Sequence, residues 1–309
     1  MRAWAELLRV SALFTVPGDA LAGAAARGRT PGRGTLLAAG ASLCLYEAGM
    51  ALNDWADRDE DAVDRPHRPI PSGRVTPGAA LAAAGGLTAA GLALAARAGR
   101  PALAVAAGLA ATVWAYDLRL KHTGLGPAAM ASARALDVLL GATAGGPAPS
   151  RGGARTSATT PAARPAAAAL PAALTLGAHT YAVTAVSRHE AQGGSTTAPL
   201  AALAGVTALG TAVLHRPPPP GNGGPRPRPA DVLLAALTGS YLRTSAIPLL
   251  HAALNPSPPL TQRAVGGGIR AMIPLQAALA TRAGAPLSAL AVTGLVPLAR
   301  ALARKVSPT

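Results

Sequence analysis

Residues 53–75 read NDWADRDEDAVDRPHRPIPSGRV, and the fold and chemistry of the chain turn on this stretch. Asn53, Asp57 and Asp61 recur every fourth residue, with Asp54 and Asp64 three residues to either side of the last two, so a helix would gather them on one broad face. Like charges at that spacing repel, and a carboxylate row beside strongly apolar sequence requires a counter-ion. Hard oxygen ligands that fill only part of a coordination shell suit Mg²⁺, which completes its shell with the phosphate oxygens of a substrate. Asn53, Asp54, Asp57 and Asp61 are therefore the expected metal ligands. Next, Arg65, Arg68 and Arg74 alternate with Pro66, Pro69, Pro71 and Gly73, which end the helix and stiffen the loop. A stiff loop holds guanidinium forks ready for bidentate phosphate contacts. A magnesium diphosphate site is the first inference, set against the plainer reading of a solvated loop whose charges cancel.

The pattern NDxxDxxxD followed by DRPHRPIPSGR resembles the first aspartate-rich signature of the UbiA superfamily of intramembrane prenyltransferases. The resemblance implies an all-α bundle of about nine transmembrane helices, formed by residues 1–309 as a single domain. It also implies Mg²⁺-dependent transfer of a prenyl group from an isoprenyl diphosphate to a small acceptor, with the aspartate loops on the cytoplasmic face of the cell membrane.

Composition agrees with a membrane protein. Half of the 309 residues are apolar and only 13% are charged, whereas about a quarter are charged in soluble domains. The net charge of +15 is spread as arginines over many short connections, with no aromatic interleaving, which excludes a nucleic-acid module and suits an anionic bilayer surface. Cys44 is the single cysteine and lies in an apolar run, so no disulfide framework or thiol metal site exists.

Ten apolar segments can be counted: 4–26, 35–52, 79–98, 101–116, 125–145, 166–186, 198–214, 231–254, 264–280 and 287–303. One of the last three, the Arg243-bearing or the Arg270-bearing segment above all, would have to lie at the interface to leave nine. The first segment has no small-residue cleavage site after a short core and is read as a span, not a removed signal. Residues 146–165 and 215–229 are rich in Pro, Gly and Arg and read as flexible loops.

Ionisable groups inside spans are costly in hydrocarbon and mark function or internal pairing. Asp19 is read either as a catalytic residue in contact with the acceptor or as half of a structural pair. Arg134 and Asp137 stand one helical step apart and read as a buried pair, or as a phosphate-holding arginine with its orienting carboxylate. Tyr116 to Lys121 resembles the family's Tyr…Lys stretch after the fourth helix, which implies that Tyr116 and Lys121 face the diphosphate; a snorkelling Lys121 is the alternative. After the sixth segment comes Ser187-Arg188-His189-Glu190-Ala191-Gln192-Gly193-Gly194. Most members of the superfamily carry a second aspartate-rich motif there, but this chain offers only Glu190, so a second Mg²⁺ is not implied. Arg188 can supply part of the missing charge. The SRxE…GG form, with LKHTGLGPAAM and R-A-L-D, resembles the EboC-like branch, which implies a polar or cyclitol-like acceptor beside the aromatic acceptors usual for the superfamily. Two other functions share these features. A terpene cyclase would keep the metal row, but cyclases surround their cations with aromatic faces and this chain has one Phe, three Trp and four Tyr. A lipid-handling or transport protein would use the intramembrane charges as a polar pathway.

Overall fold

In the computed structural model the chain is described at residues 2–9, 15–145, 166–215, 228–294 and 297, and those residues fold as α-helices without a strand. The loops expected at 146–165 and 215–229 fall almost wholly outside the described residues. The helices are α1 (Arg2–Leu7), α2 (Val16–Ala26), α3 (Arg33–Ala56), α4 (Arg58–Asp64), α5 (Pro77–Ala98), α6 (Arg100–Ala115), α7 (Gly126–Thr143), α8 (Leu170–Ser187), α9 (Thr197–Leu214), α10 (Pro229–Leu254) and α11 (Pro258–Arg282), followed by α12 over 286–294. A π-turn, Tyr116–Leu120, continues α6. Six of these segments are long and apolar enough to cross a membrane: α3, α5, α6 with its π-turn, 166–187, α9 and α10.

Proline sets most of the starts. Pro17, Pro77, Pro101, Pro127 and Pro171 each stand in the first turn of a helix, where the missing N–H costs no hydrogen bond and φ is already helical. The α5 start is also capped, by Thr76 Oγ1 accepting from the Ala79 amide at 3.3 Å.

Small residues fix how closely the helices cross, since lipid offers no hydrophobic drive between helices and packing must supply the attraction. Where α2 crosses α7, a Cβ on Gly23 would lie 2.0 Å from the Val138 carbonyl and one on Gly141 would lie 2.4 Å from Ala20 Cα. Against α5, α3 closes on Gly91, whose Cβ would sit 2.9 Å from Leu45. Three apolar cores result. One joins α2 with α7 to α12, one joins α3, α5, α6 and α7, and a small third core sits at one end. That third core packs Leu7, Ala51, Leu52, Ile70, Val75, Ala80 and Ala84, and it anchors the Arg65–Arg74 loop from beneath.

Two expectations are corrected. The segment 4–26 is not one helix: α1 closes at Leu7, and Arg9 adopts φ +48°, a left-handed backbone that breaks the run. The aspartate row is not one continuous helix either. Asp57 is the residue between α3 and α4, with φ −89° and ψ 3°, so the chain turns in the middle of the row.

Candidate active site

That turn divides the acidic residues into two groups. Asp54 and Asp61, both buried, face the cationic loop. Arg68 Nη1 lies 2.6 Å from Asp61 Oδ2 and 3.5 Å from Asp54 Oδ1, Arg65 Nη1 lies 3.4 Å from Asp61 Oδ1, and Arg9 Nη2 lies 3.2 Å from Asp54 Oδ1. The second group is Asn53, Asp57 and Asp117. Asn53 Nδ2 donates to Asp57 Oδ2 at 3.2 Å and to Asp117 Oδ1 at 3.3 Å, while Lys121 forms an ion pair with Asp57. Asp57, Glu60 and His122 also present ligand atoms within 4.8 Å of one another.

The π-turn brings Asp117 here. Its wide bond, Lys121 N–H to the Tyr116 carbonyl at 3.0 Å, turns Tyr116 and Asp117 into the pocket and leaves Lys121 over Asp57. Such turns concentrate at functional sites. The loop above is fixed by its own bonds: Val75 N–H to the Pro69 carbonyl at 2.9 Å, Gly73 N–H to the Ile70 carbonyl at 3.0 Å, and Ser72 Oγ to the Arg68 carbonyl at 2.6 Å. Gly73 has φ +73°, which explains the glycine. Arg74 does not point into the site. It grips Glu6 of α1 at 2.7 and 3.2 Å and thereby ties α1 to the loop; the Glu6 carboxylate raises the Arg74 guanidinium pKa.

Below the mouth lies a pocket of about 250 Å³. Arg9, Asn53, Tyr116 and Asp117 line its upper end. Leu45, Met50, Leu109, Val113 and Met130 line its waist, and Ser42, Tyr46, Arg134 and Asp137 lie at its other end. Ser42 Oγ donates to Asp137 Oδ1 at 2.5 Å. The expected pairing of Arg134 with Asp137 is corrected: the direct partner of Arg134 is Asp19, which comes from α2. Asp19 is fully buried and also accepts from Gln276 Nε2 of α11 at 2.8 Å, so three helices meet on it.

At the other side of the mouth, Arg188 Nη1 donates to the Thr123 carbonyl at 2.7 Å and links the loop after α8 to the loop after α6. Glu190 is half-buried. Burial raises its carboxyl above the ordinary range, with Arg65 pulling the other way. Gly193 and Gly194 take φ +66° and +81°, and Gly194 N–H reaches the Pro256 carbonyl at 2.7 Å, so this glycine pair docks the loop on the α10–α11 turn.

Arg9, Asp117, Tyr46 and Ser42 are pocket residues that the sequence reading did not single out. Asp117 carried a usable signal, a lone carboxylate at the end of an apolar span; the other three carried none above background.

The comparisons with known proteins agree with this geometry. A digeranylgeranylglyceryl phosphate synthase of Methanopyrus kandleri is 40% identical over 130 residues, covering 40% of this chain and 46% of that protein. A solved structure concerned with digeranylgeranylglyceryl phosphate synthase superposes with a TM-score of 0.62 at 16% identity, covering 91% of this chain and 97% of that one. A UbiA homolog from Archaeoglobus fulgidus, bound to GPP and Mg²⁺, superposes with a TM-score of 0.61 at 19% identity, covering 90% and 99%. Identities this low carry the fold alone. The chain spans about half the length of the curated relatives it matches, and their names point to digeranylgeranylglyceryl phosphate synthesis rather than to the EboC-like branch. The model of the UbiA prenyltransferase family matches residues 11–215, which hold both acidic groups, the arginine loop, the π-turn and the Arg188–Glu190 loop. By that match, the chain belongs to the UbiA prenyltransferase family.

Proposed function

We infer that this chain transfers a prenyl group from an isoprenyl diphosphate to a small acceptor at the membrane, with Mg²⁺ as cofactor. The observation that carries the reading is the pair of oxygen-rich groups at the mouth of one apolar-waisted pocket, each already faced by a cation. The carboxylates of Asp57 and Asp117, bridged by the Asn53 amide group, fit a hard divalent ion, and Glu60 stands beside Asp57. When bound, Mg²⁺ supplies charge neutralisation to a departing diphosphate.

This chain's own residues do the rest. Lys121, Arg65 and Arg68 are the cations that exchange carboxylate oxygens for diphosphate oxygens, and Arg9 stands at the same mouth. Asp54 and Asp61, expected as further metal ligands, also hold Arg68 in position. The waist accepts the isoprenoid, each buried CH₂ of which gains about 0.8 kcal/mol on leaving water. As the carbon–oxygen bond to diphosphate breaks, an allylic cation forms. The acceptor oxygen bonds to it, and the acceptor proton passes to a carboxylate. Asp137 lines the pocket for that task, with the half-buried Glu190 near Arg65 as the alternative, whereas Asp19, sealed between Arg134 and Gln276, serves as a counter-ion. Among the described residues, Tyr46 and Tyr116 are the only rings lining the pocket, which weighs against cyclisation of the tail.

For the acceptor, the names of the relatives favour a glyceryl phosphate bearing one isoprenoid ether, while the Arg188, Glu190, Gly193-Gly194 loop is what supports an EboC-like polar acceptor. Nine spans with the acidic mouth toward the cytoplasm complete the reading. Purified chain incubated with labelled geranylgeranyl diphosphate and geranylgeranylglyceryl phosphate, with Mg²⁺ or with chelator, tests it. A Mg²⁺-dependent ether product is expected; a hydrocarbon product or binding without turnover would reject transfer.

A further inference from the structure

Away from the mouth, α10 and α11 run antiparallel and leave a groove of about 650 Å³ on their outer side, lined by Ala236, Gly239, Ser240, Thr244, Ile247 and Pro248 with Arg243 and Arg270. Arg243 is the fifteenth of the 26 residues of α10 and Arg270 the thirteenth of the 25 of α11, so both stand near the middle of their helices. They stand at one level, because Gly267 packs against the Thr244 carbonyl and Pro248. Much of the exposed α10 face beside it is apolar. Val232, Ile247, Leu250, Leu254 and Ile269 are all at least 43% exposed, as befits a helix face turned to lipid. α10 is long and apolar enough to cross a membrane, whereas α11 is not among such helices; a guanidinium does not lose its proton, and one held beside an apolar helix face is costly without a partner.

Among the described residues neither arginine has a carboxylate partner. The exposed acids, Glu6, Asp59, Glu60 and Asp64, lie about the mouth, and the partly exposed Asp231 stands in the first turn of α10, so no carboxylate of this chain lies beside the groove. The groove is also shaped to keep the charge. Gly266 leaves the space beside Arg270, where a Cβ would come within 3.2 Å of Nη1. Gly239 opens the opposite wall with nothing within 4 Å of a Cβ, and Ser240 and Thr244 add hydroxyl groups.

We propose that this groove binds the head group of an anionic phospholipid, with Arg243 and Arg270 taking its phosphate and its acyl chains lying along the exposed apolar face. Two guanidinium forks from two helices match a phosphate in the bidentate manner that distinguishes arginine from lysine. The site shares no residue with the prenyl-transfer pocket, so it stands or falls independently of that reading.

Native mass spectrometry of the full chain in neutral detergent, with phosphatidylglycerol and phosphatidylcholine supplied in equal amounts, reads this directly. Wild type is expected to retain phosphatidylglycerol preferentially, and Arg243→Gln with Arg270→Gln to lose that preference by about tenfold or more, the effect of removing two charge-assisted contacts. A photoactivatable phosphatidylglycerol should label the 236–248 segment of wild type, which keeps the test open if the double variant misfolds. Equal retention by wild type and variant, or labelling elsewhere, overturns the proposal. Displacement of the lipid by millimolar glycerol phosphate would also overturn it, because the groove would then be a site for soluble phosphate.

Discussion

Asp57 is the residue on which the site pivots, because it ends α3, starts α4, pairs with Lys121 and accepts from Asn53. Only 19% of its side chain is exposed, yet no apolar core depends on it. Asp57→Ala should therefore leave a folded, monodisperse protein by fluorescence size-exclusion chromatography while lowering prenyl transfer by roughly 100-fold or more, the scale of losing one preorganised electrostatic group. Asp117→Asn is expected to follow it, with the apparent Mg²⁺ requirement rising by about 10-fold to 100-fold; a variant with wild-type Mg²⁺ dependence would remove Asp117 from the ligand set. Glu190 behaves differently. Its folded pKa lies above an unfolded value of about 4.3, so the folded state binds its proton more tightly and stability falls as pH rises from there through the folded pKa. Glu190→Gln should melt higher than wild type at pH 7, and the gap should close below about pH 4. A wild type that melts higher at pH 7 would mean the carboxylate has gained a partner in the fold.

At the scale of elements, helix ends and helix crossings set the architecture. Arg27 and Arg29 donate to the Ala142 and Ala144 carbonyls at the end of α7, each at 2.8 Å, and Arg282 donates to the Ala212 and Val213 carbonyls at the end of α9, at 2.6 and 2.5 Å. Guanidinium groups thus satisfy carbonyls that a helix end leaves without partners and complement its negative pole. These arginines occupy connections that in sequence looked only like membrane-surface charge, and their carbonyl partners lie far along the chain, which is why local pattern did not reveal them. The α2–α7 crossing permits a sharper prediction. Gly141→Val should lower the detergent melting temperature by the equivalent of at least about 1–3 kcal/mol, since the new Cβ meets backbone that cannot move aside. At Gly85, where a Cβ would meet nothing within 4 Å, the same change should have little effect.

For the whole molecule, the legible part of the sequence was the part written locally. The proline starts, the apolar runs and the acidic stretch with its arginine loop gave the helical class and the mouth of the site. What local reading missed depends on turns and on distant partners: the break at Asp57, the π-turn that delivers Asp117, and the partner of Arg134. Spacing of three on α7 suggested Asp137, but Arg134 reaches across to Asp19 on α2, 115 residues away, and Gln276 of α11 closes the other side. This junction ties α2 and α7 to α11 at the end of the pocket, with Asp19 fully buried. Arg134→Met strands the Asp19 carboxylate and should cost about 3–5 kcal/mol, whereas Asp19→Leu with Arg134→Met removes both charges and should recover most of that loss. Thermal unfolding of the two variants in one detergent measures the difference. If the double variant is no more stable than Arg134→Met alone, the ion pair is not what holds these helices together, and the packing of Gly23 and Gly141 carries the junction.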